Sequence, residues 1–390
     1  MKRTKISIRS LLLVAMTAGL LITGTGKSEA QLNYSLFVEV NNVEGDDIVL
    51  NDNNREDNPF NTFRAKLFIN SWVSDKIGVF VKTLYDNGAS TSYGDKFRVD
   101  GAYFLFHIHP LMSLKTGIIP NSIGAFGDRN YLESNPLIGS PLLYHYRTSL
   151  TFSSVSDVTD ILQKRGSMSG SNIVYDACWD EGLEFSSDYN SVEYKFAITR
   201  GSYANPRAKS NNGYQYSGRF GLRPATGLRV GVSYARAPYL LGDAGGVPQG
   251  KSVEDYTASI TGADFEYTRG YLELYSEWIR EQFSYGENSG GYYKKENNLT
   301  VNAYFVEGKY KITPRIFAAA RYGELLFSEI EDPATGAGTP WDYNISRLEA
   351  GVGYKYTRSM VIKGVIQHNK YKNAPLNPVF IYAVQLKAEL

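Results

Sequence analysis

The sequence has very few residues of the kinds that catalysis and redox chemistry use. Its 390 residues include one cysteine, Cys178, and four histidines, so no disulfide can form within the chain. His107 and His109 could share one face of a strand, but no third metal ligand accompanies them. The motifs G-x-S-x-G, P-loop, H-E-x-x-H and C-x-x-C-H are missing. We therefore expect no catalytic residues, no cofactor and no bound metal, and we expect that the chain is not an enzyme.

Long hydrophobic runs are also missing beyond residue 30, where no stretch reaches 18 consecutive apolar residues. A membrane protein built from helices is thereby disfavoured. The first thirty residues have a basic start at Lys2 and Arg3, then an apolar run, then small residues up to Ala30. This order is that of a secretory signal peptide cleaved after Ala30, and an uncleaved anchor helix is the alternative. The expected division is a signal peptide over 1–30 and one domain over 31–390.

An excess of one charge is absent as well. The predicted leader carries five basic residues and one acidic residue, so the remainder has 36 basic and 39 acidic residues. This near balance gives no argument for binding nucleic acid.

What the sequence does have is tyrosine, glycine and a period of two. It contains 30 Tyr and 37 Gly, and its mean hydropathy is −0.30. Apolar and polar residues alternate over Phe63–Ile69, Val192–Ile198 and Leu348–Tyr356. Alternation over this length indicates β-strands, since successive side chains point to opposite faces. An outer-membrane barrel needs only about 9–11 residues per strand, and it can therefore look polar on average.

Turn residues divide the chain regularly. Seven short turns and eight longer polar stretches join sixteen strands, with an error of about two because an extra hairpin could lie within 120–177. The short turns fall near 74–75, 109–110, 188–190, 224–227, 268–270, 313–315 and 357–359, and the long stretches cover 43–60, 87–96, 120–177, 201–213, 238–254, 284–298, 327–343 and 370–378. The sequence therefore predicts an all-β fold, a transmembrane antiparallel up-and-down β-barrel of about sixteen strands.

The alternation fails in two places. Apolar residues change face within 256–267 and within 299–311. A β-bulge and a misplaced strand boundary are the two explanations open at this point.

Two segments resemble known outer-membrane proteins. The alternating end, Phe380–Leu390, is similar to the C-terminal strand of bacterial outer-membrane barrels, although these usually end in Phe. Residues 112–150 resemble porins of the phosphate-selective porin O/P type and related porin-like families. The matching features are the strand Met112–Pro120, the Gly-aromatic-Gly stretch 124–127 and the stretch 135–144. Phosphate selectivity is not carried over, because no phosphate-binding lysine cluster matches.

This resemblance implies an outer-membrane channel for small hydrophilic solutes or ions, assembled as a homotrimer and surrounded by outer-membrane lipid. It also implies that the long stretch 120–177 folds inward and narrows the channel. The charged residues that would form the pore constriction are Asp128, Arg129, Glu133 and Arg147. The alternative is a solvated outer loop whose charges keep it soluble.

Strand parity predicts which charged residues line the lumen. The basic ones are Arg64, Lys66, Lys82, Arg98, Lys115, Lys195, Arg219, Arg223, Arg229, Arg321, Arg347, Lys355 and Lys363, and the acidic ones are Asp86, Asp100, Glu193, Asp264, Glu266, Glu273, Glu277 and Glu349. More basic than acidic side chains would give a weak preference for anions.

Three functions are compatible with these patterns. The best supported is a porin for passive diffusion of small hydrophilic solutes. A structural barrel that sheaths or partners a periplasmic or extracellular protein is the alternative. A barrel hydrolase is less well supported, because His145 and His368 near the outer loops have no evident nucleophile beside them.

Overall fold

The computed structural model describes residues 32–45, 62–86, 97–131, 134–175, 179–205, 210–284, 299–372, 374–375 and 377–389. The predicted signal peptide, Glu133 and Cys178 lie outside these ranges. Among the described residues, no helix is long and apolar enough to cross a membrane.

Within the described ranges, sixteen antiparallel strands close into one barrel, in which each strand pairs with its neighbours in sequence and the last strand pairs with the first. A short hairpin, β14–β15, lies outside the barrel sheet. The strands are β1 (Leu32–Gly45), β2 (Thr62–Ser74), β3 (Ile77–Asp86), β4 (Phe97–His109), β5 (Met112–Pro120), β6 (Trp179–Tyr189), β7 (Val192–Arg200), β8 (Gln215–Ala225), β9 (Leu228–Pro238), β10 (Thr257–Arg269), β11 (Leu272–Phe283), β12 (Leu299–Lys311), β13 (Ile316–Phe327), β14 (Glu329–Glu331), β15 (Gly338–Pro340), β16 (Asn344–Lys355), β17 (Met360–Lys372) and β18 (Val379–Glu389). The predicted fold class and strand number are confirmed.

The barrel has an apolar outer surface and a buried inner face. On β18, Phe380, Tyr382 and Val384 are exposed, whereas the alternating Ile381 and Ala383 are buried. Exposed large apolar residues recur on nearly every strand. A closed barrel with such an outer surface is suited to lipid on the outside. Its two ends are called the short-turn end and the long-connection end below.

The longest connection joins β5 to β6, and its described part over 121–131 and 134–175 is called the 121–175 segment. It contains three helical turns, Phe126–Tyr131, Leu142–His145 and Val158–Gln163. No barrel strand lies in its described part, so the extra hairpin considered from the sequence is not found there.

Much of the barrel interior near the long-connection end is apolar. Inward side chains such as Ile260, Ile279, Val301 and Leu325 are buried in one hydrophobic cluster with residues of the 121–175 segment. The barrel strands that contribute to this cluster are β9–β13 and β16–β18, and β14 contributes Ile330. Near this end, many inward positions of these strands are therefore apolar.

This packing explains the lost alternation in 256–267 and 299–311. The register of β10 with β9 and β11 is continuous, and so is that of β12 with β11 and β13. Neither a bulge nor a misplaced boundary is the cause. The inward positions in these stretches are apolar because they contact the 121–175 segment and other protein groups instead of water. Register shifts occur elsewhere, in the pairs β2–β3, β3–β4, β4–β5 and β8–β9.

Candidate functional site

Glu277 on β11 holds the start of the 121–175 segment. One carboxylate oxygen accepts hydrogen bonds from the backbone N–H groups of Ala125 and Phe126, both at 2.6 Å, and the other accepts from the Tyr144 hydroxyl at 2.5 Å. The backbone of Gly124 has a φ of +61°, and a Cβ there would lie 2.7 Å from the carboxylate. A glycine is needed where the chain turns this closely around a buried acid.

A buried charge network lies beside this contact. Arg129 donates to Glu307 at 2.5 Å, and its guanidinium lies 3.6 Å from the centre of the Tyr275 ring. The other oxygen of Glu307 accepts from Arg321 at 2.9 Å, and Arg321 lies 3.4 Å from Glu349. Buried charges are tolerated when they are paired in this way. The network therefore fixes the predicted constriction residue Arg129 against the wall of β11–β13.

A turn of the segment is attached to β13 and β17. Arg321 donates to the side-chain oxygen of Asn135 at 3.0 Å, and Lys363 donates to the backbone carbonyl of Asn135 at 2.8 Å. Gln367 donates to the carbonyl of Ile138 at 3.4 Å. These contacts orient the segment's backbone carbonyls toward polar side chains of the barrel wall.

Asp342, in the connection between β15 and β16, holds the later part of the segment. Its carboxylate accepts hydrogen bonds from the backbone N–H groups of Ser149 at 2.8 Å and Gly166 at 2.9 Å. Burial raises the pKa of Asp342 to about 6, and the N–H donors oppose that rise. The neighbouring Trp341 is fully buried in the apolar cluster.

The raised pKa of Asp342 predicts a pH-dependent stability. The folded chain keeps a proton that the unfolded chain releases above its ordinary value of 3.8. The resulting stabilisation is complete below about pH 4 and is lost as the pH rises to about 6, an effect of about 2–3 kcal/mol. Between pH 4 and 7, urea unfolding should show a loss of stability in the wild type that exceeds the loss in Asp342→Asn by this amount. Glu331→Gln, at an exposed hairpin position, is the control, and equal slopes in all three proteins would contradict the prediction.

The predicted lumen residues occupy the inner face, mostly as ion pairs. Lys82 lies 5.0 Å from the centre of the Phe68 ring, and Arg347 donates to Asn369 at 2.7 Å. The ion pairs are Arg64 with Asp86 (2.9 Å), Lys66 with Glu39 (3.1 Å), Arg98 with Asp100 (2.7 Å) and Lys115 with Glu184 (2.7 Å). Glu39, Glu184 and Glu307 also form such pairs and were not predicted from the sequence. Strand parity could have found Glu184, since it alternates with the outward residues Leu183 and Phe185.

The two predicted constriction side chains that the structure describes, Arg129 and Arg147, make contacts with different partners. The Asp128 side chain and Glu133 lie outside the described part of the chain. Arg147 donates to the backbone carbonyls of Ser169 at 2.7 Å and Gly170 at 3.3 Å, which are within the segment itself.

Three arginines converge on Glu193 near the short-turn end. Its carboxylate accepts hydrogen bonds from Arg219, from Arg223 at 3.0 Å and from Arg229 at 2.6 Å. Arg219 also donates twice to the buried Asp264. A cavity of about 520 Å³ lies beside this cluster, and Lys115 and Lys195 also line it. Parity had placed these residues on one face without indicating that they meet.

Among the described residues, no group of three or more His, Cys, Asp or Glu side chains is arranged to hold a metal ion.

Comparison with known proteins shows a shared fold. No family model matches the sequence, and no curated protein matches it. The fold is similar to that of the anion-selective porin from Comamonas acidovorans (TM-score 0.59, 9% identity, covering 93% of this chain and 100% of that one). It is also similar to in-vitro folded OmpT, an outer membrane protein of Vibrio cholerae (0.56, 13%, 94% and 99%). The outer membrane channel DcaP of Acinetobacter baumannii is a third example (0.54, 13%, 94% and 99%).

Proposed function

We propose that this protein is a porin, a water-filled channel in the outer membrane through which small hydrophilic solutes or ions diffuse passively. The observation that carries the proposal is a closed barrel of sixteen strands that is apolar outside and charged inside. Sixteen strands enclose more space than wall side chains alone can fill. The outer-membrane proteins and channels that share this fold support the same function and location.

The route for solutes follows from where the segment is attached. Its apolar cluster involves β9–β13 and β16–β18, and no described residue of β1–β8 belongs to that cluster. The inner face of β1–β8 carries charged residues such as Arg64, Lys66 and Lys115. We infer that the segment narrows the lumen from one side and that solutes pass along the wall of β1–β8.

The proposed anion preference is weak. The inner wall includes acids that were not predicted from the sequence, and three of them each neutralise a basic residue: Glu39 pairs with Lys66, Glu184 with Lys115 and Glu307 with Arg321. A lumen of closely paired charges favours small polar solutes and discriminates only modestly by sign. The similar fold of an anion-selective porin is compatible with that preference.

We also propose that the chain is a homotrimer and not an enzyme. A trimer form is described for OmpT, which has the same fold. His368, one of the two histidines considered for a hydrolase, stacks on the outward Phe380 at 4.5 Å. That position is on the apolar outer surface and away from solutes in the lumen.

The test is single-channel recording from the purified chain beginning at residue 31, refolded and inserted in a planar bilayer. We expect ohmic current steps with a modest anion preference in a salt gradient. A folded, heat-modifiable barrel that carries no current would contradict the porin, and a co-purifying protein partner would then favour the sheath.

A further inference from the structure

The arginines around Glu193 keep hydrogen-bond donors that no described protein group uses. Arg223 bonds to Asp188 and Glu193 through one terminal nitrogen, and Arg229 bonds to Glu193 and Glu266 through Nε and Nη1. Within the described part of the chain, Nε and Nη1 of Arg223 and Nη2 of Arg229 therefore remain available. A guanidinium has five N–H donors in a planar fork that fits a carboxylate or a phosphate.

These available donors lie at accessible cavities. Arg223 and Arg229 line both the cavity of about 520 Å³ and a second cavity of about 540 Å³ around the turn between β8 and β9. The side chain of Arg223 is 36% exposed. A solute in either cavity therefore meets the same two guanidinium groups.

The lining of the cavity of about 520 Å³ carries an excess of positive charge. It includes five basic residues and two acidic ones, Asp188 and Glu193. Glu184 and Asp264, the carboxylates that pair with Lys115 and Arg219, are buried and are not part of this lining. The surface facing the cavity is thus cationic, although the wall as a whole is nearly balanced, and such a surface attracts anions.

Two carboxylates of the chain show how an anion is held there. Glu193 is bound by three guanidinium groups at once. Asp188, whose side chain is 66% exposed, accepts from Arg223 at 2.6 Å. Because Asp188 competes for Arg223, an external anion would bind weakly and leave readily, as passage through a channel requires.

We propose that Arg223 and Arg229 form a subsite at the short-turn end that binds the carboxylate or phosphate group of a small anionic solute. The inference rests on the proposed channel function and gives that channel a solute class. Glu193 positions the two arginines, and Asp188 limits the affinity.

The subsite predicts opposite effects for two neighbouring substitutions. Citrate and inorganic phosphate, as carboxylate and phosphate probes, would be titrated into the refolded full chain in detergent by calorimetry. Arg223→Gln should weaken binding of the preferred probe about fivefold, and Asp188→Asn should strengthen it by a similar factor, as expected for partly exposed charged hydrogen bonds. Arg229→Gln should also weaken binding. This second variant keeps the test valid if Arg223→Gln does not fold.

Arg358→Gln is the matched control, because it removes the same charge from an exposed turn at the same end of the barrel. It should leave binding unchanged. Equal losses in Arg223→Gln and Arg358→Gln, or weaker binding in Asp188→Asn, would overturn the subsite. Binding is measured without a membrane, so it is independent of conduction. If the wild type conducts no current and the variants still show the expected changes in affinity, the channel function is refuted and the subsite is not. If the wild type conducts and binds neither probe, the subsite is refuted and the channel function is not.

Discussion

Replacing Glu277 with alanine should release the start of the 121–175 segment and give a channel with larger and noisier current steps. The substitution leaves the N–H groups of Ala125 and Phe126 and the hydroxyl of Tyr144 without their acceptor in a buried place. Each unsatisfied group costs about 1–3 kcal/mol, so the segment should lose about 3–5 kcal/mol of its attachment. Glu277→Gln keeps one carbonyl acceptor, so its conductance should lie between that of the wild type and that of Glu277→Ala.

Single-channel conductance and limited proteolysis within 121–175 would measure this release. Glu273→Ala is the matched control, since Glu273 lies on the same face of β11 and pairs with Lys309 and Lys311 rather than with the segment. Wild-type conductance and protease resistance in Glu277→Ala would show that this carboxylate does not hold the segment.

Arg321→Met should destabilise the folded barrel by about 3–5 kcal/mol. Arg321 is 1% exposed and contacts Glu307 and Glu349. Removing one partner of a buried charge network leaves uncompensated charge, which costs far more than a surface pair. Arg129 still neutralises Glu307 in this variant. The cost therefore arises mainly at Glu349, which loses its contact with Arg321.

Urea unfolding of the refolded chain in micelles, followed by tryptophan fluorescence, would measure the effect. Arg315→Met, at an exposed short turn, should change stability little. Adding Glu349→Gln to Arg321→Met should recover part of the loss, because the unpaired charge is removed. A loss in Arg321→Met no larger than that in Arg315→Met would contradict the network's role.

The barrel could be predicted because its determinants are local. All seven short turns and the strands between them follow from turn residues and from alternation, as in 192–198. The rule that apolar residues face lipid also holds along β18. Parity placed Arg64 and Lys115 on the inner face without indicating their partners.

The interior could not be predicted, because alternation assumes water inside the barrel. In β10 and β12 the inward Ile260 and Val301 are buried in the apolar cluster. Their outward neighbours are polar, whereas later outward residues are apolar, so the apolar face changes within each strand. The contact of Glu277 with Ala125 joins residues 152 positions apart. Parity gives the face of a side chain and cannot give so distant a partner.

The attachment of the segment also constrains the order of assembly. Lys363 contacts the carbonyl of Asn135, which is 228 residues earlier in the chain. During synthesis, the segment is complete long before β17 exists, so Leu142 and Leu143, which end in the apolar cluster, have no wall to cover them. Contacts between residues this distant in sequence form slowly, and apolar surface that stays exposed until they form favours aggregation. The unfolded chain therefore needs protection from aggregation before it reaches the membrane. Its interior is complete only when β1 and β18 pair and close the barrel.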